Sequence, residues 1–191
     1  MLDLPLDLCK ESLTYTPCYC EENIYLLAKA ILPRIEEESE ASVVFISNPR
    51  KLIPLWSQQK QHSPGLPVLW DYHVILVLRT RSQSWVYDFD TTLDFPCPLD
   101  VYIAEAFRPE VMLPEEFRRK LRVLSAREYG RIFASNRSHM VKDGEYISPP
   151  PSYPPIRTTG CAMNLYSFID MSGDNEFGRV YSEDEIAAIL S

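Results

Sequence analysis

The strongest constraint on the fold is a pair of apolar segments rich in β-branched and aromatic residues. They are PVLWDYHVILVL (67–78) and SWVYDFD (84–90), with RTRSQ between them. Segments of this composition bounded by polar residues are typical of buried strands. So short a connection favours antiparallel neighbours, because a parallel pair needs a crossover of a dozen residues or more. The sequence therefore predicts an antiparallel hairpin inside the protein.

Other segments predict further elements around this hairpin. Apolar residues recur at helical spacing within 21–32, and Pro33 discourages continuation of the helix. ASVVFISN (41–48) has the composition of another buried strand. Ser182 and Glu185 have the spacing of a capping box, which predicts a helix start near the end of the chain.

Length and charge limit the class of protein. The chain has 191 residues, 46% of them hydrophobic, and a net charge of −8. We expect a single domain over 1–191, with 1–14 as a loose N-terminal arm. An acidic chain is poorly suited to phosphate backbones, so we expect no nucleic-acid partner. No apolar run reaches the roughly 20 residues that span a bilayer, and the N-terminus does not resemble a signal peptide. We expect an intracellular protein with no membrane partner.

The cysteines do not suggest a disulfide or zinc framework. Their number is odd, and thiols normally stay reduced inside cells. Cys18 and Cys20 are one residue apart, whereas structural zinc sites use wider spacings and a second ligand pair. We therefore expect no metal. The five cysteines are Cys9, Cys18, Cys20, Cys97 and Cys161.

The remaining interpretation of the CYC motif is a nucleophile at a helix start. Cys20 directly precedes the predicted helix, whereas Cys18 lies further out, after Pro17. The positive end of a helix dipole favours a thiolate. Glu21 and Glu22 partly oppose this effect, so a neighbouring imidazolium would have to complete the activation.

His73 is the candidate partner for such a nucleophile. If the hairpin loop is centred between residues 80 and 81, His73 lies directly opposite Asp88; if the centre is one residue later, it lies opposite Asp90. No Asn-Gly or Asp-Gly pair fixes the register. Either acid could orient the imidazole and stabilise its charged form.

Eight motifs spread over residues 15–171 carry a resemblance to a known family. They are CYCEENIYLL, VFISNPRKLIPLW, PVLWDYHVILVL, VYDFDTTLDFPCP, FRRKLRVL, FASNRSHM, PPPSYPPI and MNLYSFIDM. Together they resemble the protein N-terminal glutamine amidohydrolase family. The resemblance implies an α/β fold, a three-layer α-β-α sandwich with a largely antiparallel sheet and a core like that of papain and transglutaminase.

The resemblance also implies site residues and an activity. Its catalytic triad corresponds to Cys20, His73 and Asp88, which selects the loop centre between residues 80 and 81. The implied reaction converts an N-terminal glutamine to glutamate through a thioester and releases ammonia, with no cofactor. The implied partners are proteins or peptides with a free N-terminal glutamine, in the cytoplasm and also the nucleus. The enzyme would feed the N-terminal arginylation and degradation pathway. We expect a monomer, because nothing in the sequence suggests an obligate oligomer.

Recognition of a free N-terminus requires an acceptor for the α-ammonium group. The candidates are Glu21, Asp71 and Asp90, and in the selected register Asp71 lies opposite Asp90.

Two alternatives remain open at this stage. A cysteine peptidase or a transglutaminase-like enzyme would share the triad and the thioester. A non-catalytic interaction module could instead present SPPPSYPP (148–155) to a proline-binding domain, although a rigid surface strap also fits this segment.

Overall fold

The structure, a computed structural model, describes residues 8–190. Its α-helices are α1 (Cys20–Ile31), α2 (Leu99–Tyr102), α3 (Ala126–Ile132), α4 (Leu165–Ile169) and α5 (Ile186–Leu190). Its strands are β1 (Glu40–Ser47), β2 (Ile53–Leu55), β3 (Val68–Trp70), β4 (His73–Arg79), β5 (Ser84–Tyr87), β6 (Cys97–Pro98), β7 (Lys120–Ser125), β8 (Val141–Lys142), β9 (Glu145–Tyr146) and β10 (Arg179–Ser182). A π-helical turn, Ile103–Phe107, continues α2.

A central six-stranded sheet organises these elements. Its strand order is β10-β7-β1-β4-β5-β6, and every neighbouring pair is antiparallel. The predicted largely antiparallel sheet is therefore confirmed. Strands β2 and β3 pair with each other apart from this sheet, and β8 and β9 form a short hairpin.

Side-chain alternation along the central strands builds a core on each face of the sheet. On β4, Val74, Leu76 and Leu78 belong to a core that α1, α3 and α4 cover. The intervening residues Ile75 and Val77 belong to a second core, which α2 and α5 cover. Helices therefore lie against both faces of the sheet.

Helix α1 agrees closely with the prediction. Its four apolar residues at helical spacing are buried against the sheet, and it ends just before Pro33. The burial of this apolar stripe fixes the rotation of the helix. The stripe consists of Ile24, Leu27, Ala28 and Ile31.

The hairpin differs from the prediction in two ways. The expected strand over 67–78 is divided into β3 and β4, and the second strand ends at Tyr87. Arg79 lies opposite Ser84, so the loop is centred one residue later than the resemblance implied. The Thr80 N–H donates a hydrogen bond to the Gln83 carbonyl (3.0 Å), and the Thr80 hydroxyl donates a second one to the same oxygen (2.8 Å). These bonds close a four-residue turn and set the register.

Both ends of the described chain pack onto the body of the protein. Of the arm expected over 1–14, residues 8–14 are described; Leu8 is buried, and a 3-10 turn spans Lys10–Ser12. Near the other end, the capping box of Ser182 and Glu185 is confirmed. Within residues 8–190, no helix has the length and apolar character needed to cross a bilayer.

Candidate active site

Cys20 is the first residue of α1, and the turn before the helix sets its position. The Asn23 side chain accepts a hydrogen bond from the Thr16 N–H (2.8 Å) and donates one to the Thr16 carbonyl (2.9 Å). Tyr19 is completely buried next to this turn, and Cys18 has a positive φ of 69°. These contacts fix the entry of the chain into α1 and place the Cys20 side chain, 7% exposed, at the edge of a cleft.

The Cys20 thiol lies in a buried and negatively charged environment. Burial raises its pKa well above the ordinary value of 9.0, and the charges of Glu21 and Asp90 raise it further. A hydrogen bond from the Val74 backbone opposes this rise and shows that the sulfur lies beside β4. Burial therefore outweighs the expected effect of the helix start, and the neutral thiol is the dominant form at neutral pH.

His73 and Asp88 form a completely buried ion pair. The His73 Nε2 lies 2.8 Å from the Asp88 Oδ1. Asp88 also accepts hydrogen bonds from the Asp90 N–H (2.9 Å), the Gln58 side-chain amide (3.1 Å) and the Tyr102 hydroxyl (2.8 Å). Two donors thus reach each carboxylate oxygen, which matches the four lone-pair positions of the group. This environment holds Asp88 ionised and in one orientation.

The pKa values of this pair move in the directions that favour its charged form. Burial alone would raise the pKa of Asp88, but the charge and hydrogen bond of His73 lower it below 3.8. Burial alone would lower the pKa of His73, but the charge and hydrogen bond of Asp88 raise it above 6.5. The His73 Nδ1 is buried and has no hydrogen-bond partner within residues 8–190. This nitrogen is therefore free to exchange a proton with another group.

The contact between His73 and Asp88 is diagonal across the hairpin. If the observed register is continued beyond the end of β5, His73 lies opposite Asp90, with Asp88 two positions away on the same face. Diagonal neighbours on one face of a sheet remain within reach of long side chains. The predicted direct pairings of His73 with Asp88 and of Asp71 with Asp90 are therefore wrong, because the turn shifts the register. The His73–Asp88 hydrogen bond forms despite this shift.

An aromatic ring covers the His73 imidazole. Trp70 stacks on it with ring centroids 4.9 Å apart and planes inclined by 27°. The Lys60 Nζ lies 5.2 Å from the Trp70 ring centroid and donates to the Cys18 sulfur at 2.8 Å. Trp70 therefore shields the ion pair from water, and Lys60 links this cover to the turn before α1.

The candidate site opens into a cleft of about 340 Å³. Polar groups on its wall include Cys20, Asp71, Tyr72, Asp90 and His139, together with the amines of Lys51 and Lys60. Met140, Ile147 and Tyr166 provide an apolar part of the wall. An apolar cleft with a few convergent polar groups is typical of a small-molecule or peptide site.

The three acids proposed to bind an α-ammonium group have different positions. Asp71 borders the cleft, is exposed, and accepts a hydrogen bond from the Tyr72 N–H at 2.9 Å. Asp90 also borders the cleft, is buried, and accepts from the Tyr15 hydroxyl at 2.7 Å. Glu21 is completely buried and accepts from the Tyr72 hydroxyl at 2.9 Å.

Sequence reasoning missed several residues of this site. His139 borders the cleft, although a solvated histidine is the default for its polar segment and the SHM stretch at 138–140 is only an alternative contributor to a site. Its Nε2 lies 3.3 Å from the Glu21 Oε1 and 3.4 Å from the Tyr72 hydroxyl. Its place in the FASNRSHM motif was the only sequence signal. No spacing pointed to Gln58 or Tyr102, because their distance from Asp88 along the chain is unrelated to strand or helix periodicity.

The proline-rich segment is attached to α1 by a buried arginine. Arg137 forms a bidentate pair with Glu22, with distances of 2.9 and 2.8 Å. Its remaining donor reaches the carbonyls of Pro151 (3.2 Å) and Tyr153 (3.0 Å). Segment 148–155 is therefore part of the packed structure, as expected of a rigid surface strap.

His73, Asp88 and Asp90 also have the chemistry of metal ligands, and their candidate atoms lie within 4.8 Å of one another. However, Asp88 already has four hydrogen-bond donors, and Asp90 accepts from Tyr15. A cation would have to displace these donors. The arrangement therefore fits an oriented imidazole better than a metal site.

Comparison with known proteins identifies the family. The model of the N-terminal glutamine amidase family matches residues 15–190. A Bos taurus protein is 47% identical over 180 residues, covering 92% of this chain and 86% of that protein. A Homo sapiens protein is 45% identical over 180 residues (92% and 87%), and an Arabidopsis thaliana protein is 42% identical over 183 residues (92% and 83%). All three are named protein N-terminal glutamine amidohydrolase. The chain therefore belongs to the N-terminal glutamine amidase family.

Proposed function

We propose that this protein hydrolyses the side-chain amide of an N-terminal glutamine, with Cys20 as nucleophile, His73 as acid and base, and Asp88 as the orienting acid. The observation that supports this proposal is the 2.8 Å hydrogen bond between His73 and Asp88, in a member of this family. His73 is the first residue of β4, and the backbone of the next residue, Val74, donates a hydrogen bond to the Cys20 sulfur. The unpartnered His73 Nδ1 is the group that would exchange protons with the thiol.

The first half of the reaction acylates the cysteine. Because burial raises the pKa of Cys20, the thiol keeps its proton until the attack, when the neutral form of His73 accepts it at Nδ1 and the sulfur bonds to the amide carbon. This neutral form is the one present above the raised pKa of His73. The carbonyl oxygen becomes an oxyanion, and the Cys20 N–H at the start of α1 is one donor for it. His73 then protonates the amide nitrogen, the C–N bond breaks, and ammonia leaves a thioester on Cys20.

The second half of the reaction hydrolyses the thioester. His73, neutral after giving its proton to ammonia, removes a proton from water as the water attacks the thioester carbon. The C–S bond breaks, the Cys20 sulfur regains a proton from His73, and a glutamate side chain is released. Throughout the cycle Asp88 stays ionised, because four hydrogen-bond donors stabilise its charge.

The family resemblance supports several further parts of the proposal. The core would be related to that of papain-like and transglutaminase-like enzymes. The product, a protein with an N-terminal glutamate, would enter the arginylation and degradation pathway. We propose a cofactor-independent monomer that acts in the cytoplasm and the nucleus.

The proposal is tested by measuring ammonia release from three matched peptides that begin with Gln, Asn or acetylated Gln. We expect release from the free N-terminal Gln alone, lost in Cys20→Ala and kept in Cys18→Ala. Cleavage of the peptide bond or formation of a new amide would instead identify a peptidase or a transglutaminase. Absence of any reaction with the Gln peptide would contradict the proposed function.

A further inference from the structure

Glu21 is a buried acid beside the proposed nucleophile, and its hydrogen bonding is incomplete. It is completely buried, and its Oε2 lies 3.8 Å from the Cys20 sulfur. The Oε2 accepts a hydrogen bond from the Tyr72 hydroxyl, whereas the buried Oε1 has no hydrogen-bond partner within residues 8–190. His139 is close enough for an ion pair, at 3.3 Å, but it makes no hydrogen bond to Oε1.

A buried carboxylate normally has a cationic partner, because removing its charge from water is costly. Among residues 8–190, no lysine or arginine forms an ion pair with Glu21. Its contacts Cys20, Tyr72 and His139 all border the cleft. Glu21 itself does not line the cleft but lies behind these three residues, so a cation that enters between them meets its carboxylate.

We propose that Glu21 binds the α-ammonium group of the substrate's N-terminal residue, with Tyr72 and His139 completing this subsite. The inference rests on the proposed function and specifies how a free N-terminus is recognised. The geometry is compatible with glutamine, whose α-nitrogen and side-chain amide carbon are at most about 5 Å apart. With the amide carbon about 3 to 3.5 Å from the attacking sulfur, the α-nitrogen can reach a carboxylate beside that sulfur.

The other two acids fit this role less well. Asp71 is exposed, so water already stabilises its charge. Asp90 accepts a hydrogen bond from the Tyr15 hydroxyl, and neither of its oxygens is a buried atom without a partner, whereas the Glu21 Oε1 is. After burial, the charge of Glu21 contributes most to the raised pKa of Cys20, ahead of Asp90 and Asp71. The electrostatic influence of Glu21 on the sulfur is thus the largest of the three.

This arrangement makes the substrate an activator of the nucleophile. Burial first, and then the charge of Glu21, raise the pKa of Cys20 in the free protein. An ammonium group bound to Glu21 would offset that charge and favour the thiolate. A substrate with a blocked N-terminus would lack both the binding contact and this activation.

The test compares a Gln peptide with its des-amino analogue, the same peptide beginning with a 4-carbamoylbutanoyl group. For the wild type, we expect kcat/KM for ammonia release to favour the free amine by about 10²-fold, the usual loss when a buried charge pair is truncated. Glu21→Gln should reduce this preference to within about threefold, and Glu21→Asp should retain part of it. Asp71→Asn tests the rival acid and should keep the wild-type preference, and loss of the preference in that variant would overturn the inference. Asp94→Asn, at an exposed position away from the cleft, is the matched control.

A Glu21→Gln enzyme that loses activity equally on both peptides would overturn the inference. If that variant does not fold, the binding of the two peptides is compared in two inactive proteins. One is Cys20→Ala, and the other combines Cys20→Ala with Glu21→Asp. Calorimetry should show the free amine favoured in the first protein and less favoured in the second, whereas equal preferences would overturn the inference. A wild type inactive on the Gln peptide would contradict the proposed function itself, which is a separate outcome.

Discussion

Glu21 and Glu22 are neighbours in the first turn of α1, and both side chains are completely buried. Glu22 faces the strap, where Arg137 satisfies both of its oxygens with a bidentate pair. Glu21 lies behind the cleft-lining residues Tyr72 and His139, where one oxygen has a tyrosine hydroxyl and the other has no hydrogen bond within residues 8–190. The same residue type at the same depth thus has a complete set of partners on one side and an incomplete set on the other.

This difference distinguishes a buried charge that stabilises the fold from a buried charge that is available to bind a ligand. A buried pair with complete hydrogen bonding holds elements together, and removal of one partner leaves the other uncompensated. A buried charge with free bonding capacity lowers stability unless a ligand completes it. We therefore expect substitutions on the strap side to reduce stability and substitutions on the cleft side to reduce activity.

Cys20→Ala should give the largest effect and the clearest separation. Ammonia release from a Gln peptide should fall at least about 10⁴-fold, because the nucleophile is lost. The free energy of unfolding should change by less than about 1 kcal/mol, because alanine fits a helix start and leaves no polar group unpaired. Kinetic assays and urea unfolding of the same preparation measure both. A large loss of stability would show that Cys20 mainly stabilises the fold.

Asp88→Asn should reduce both properties, because Asp88 is fully hydrogen-bonded and also belongs to the proposed triad. Ammonia release should fall by about 10³-fold, since an amide orients His73 poorly and cannot stabilise its charge. The free energy of unfolding should fall by about 2 kcal/mol, because the amide cannot accept from all four donors. Asp94→Asn, at an exposed position, is the matched control. Unchanged activity in Asp88→Asn would remove this acid from the mechanism.

Glu22→Gln and Glu21→Gln test the comparison with a matched pair. Glu22→Gln should lower the free energy of unfolding by about 3 kcal/mol, because Arg137 keeps a buried charge without its partner. Glu21→Gln should lower it by less than about 1 kcal/mol, because no lysine or arginine among residues 8–190 pairs with that carboxylate and His139 makes no hydrogen bond to its Oε1. Equal losses in urea unfolding would show that the two sides do not differ in the expected way.

His73 should produce a smaller, pH-dependent effect. Burial alone would lower its pKa, but Asp88 raises it above 6.5 in the folded protein. Such a group contributes stability that is fully present below its unfolded pKa and is lost as the pH rises through the folded pKa. The stability advantage of wild type over His73→Gln should therefore shrink as the pH rises above about 6.5 and through the raised pKa of His73. An advantage that grows with pH would contradict a raised pKa.

Regular features of the fold could be predicted from the sequence. The apolar stripe of α1, the buried strand β1 and the capping box at Ser182 depend on local periodicity, and the structure contains all three. The hairpin register could not be predicted, because the Thr80–Gln83 turn that sets it has no characteristic turn dipeptide. The family motif nevertheless indicated the His73–Asp88 contact, because diagonal neighbours lie on the same face.

The wider environment of the site could not be predicted from a single sequence. Gln58 and Tyr102 meet Asp88 only after separate elements pack together. The contact between His139 and Glu21 joins α1 to a 3-10 turn more than a hundred residues later. The sequence also favoured a thiolate at Cys20, because the helix dipole is a local effect whereas the opposing burial is a tertiary one.

The central claim, that Cys20 carries the acyl intermediate, is tested most directly by mass spectrometry of enzyme quenched in acid during turnover of a Gln peptide. We expect an adduct with the mass of the peptide minus ammonia, and fragmentation should assign it to Cys20. The adduct should be absent in Cys20→Ala and with the acetylated peptide. Ammonia release without any adduct, or an adduct on Cys18, would contradict the proposed nucleophile.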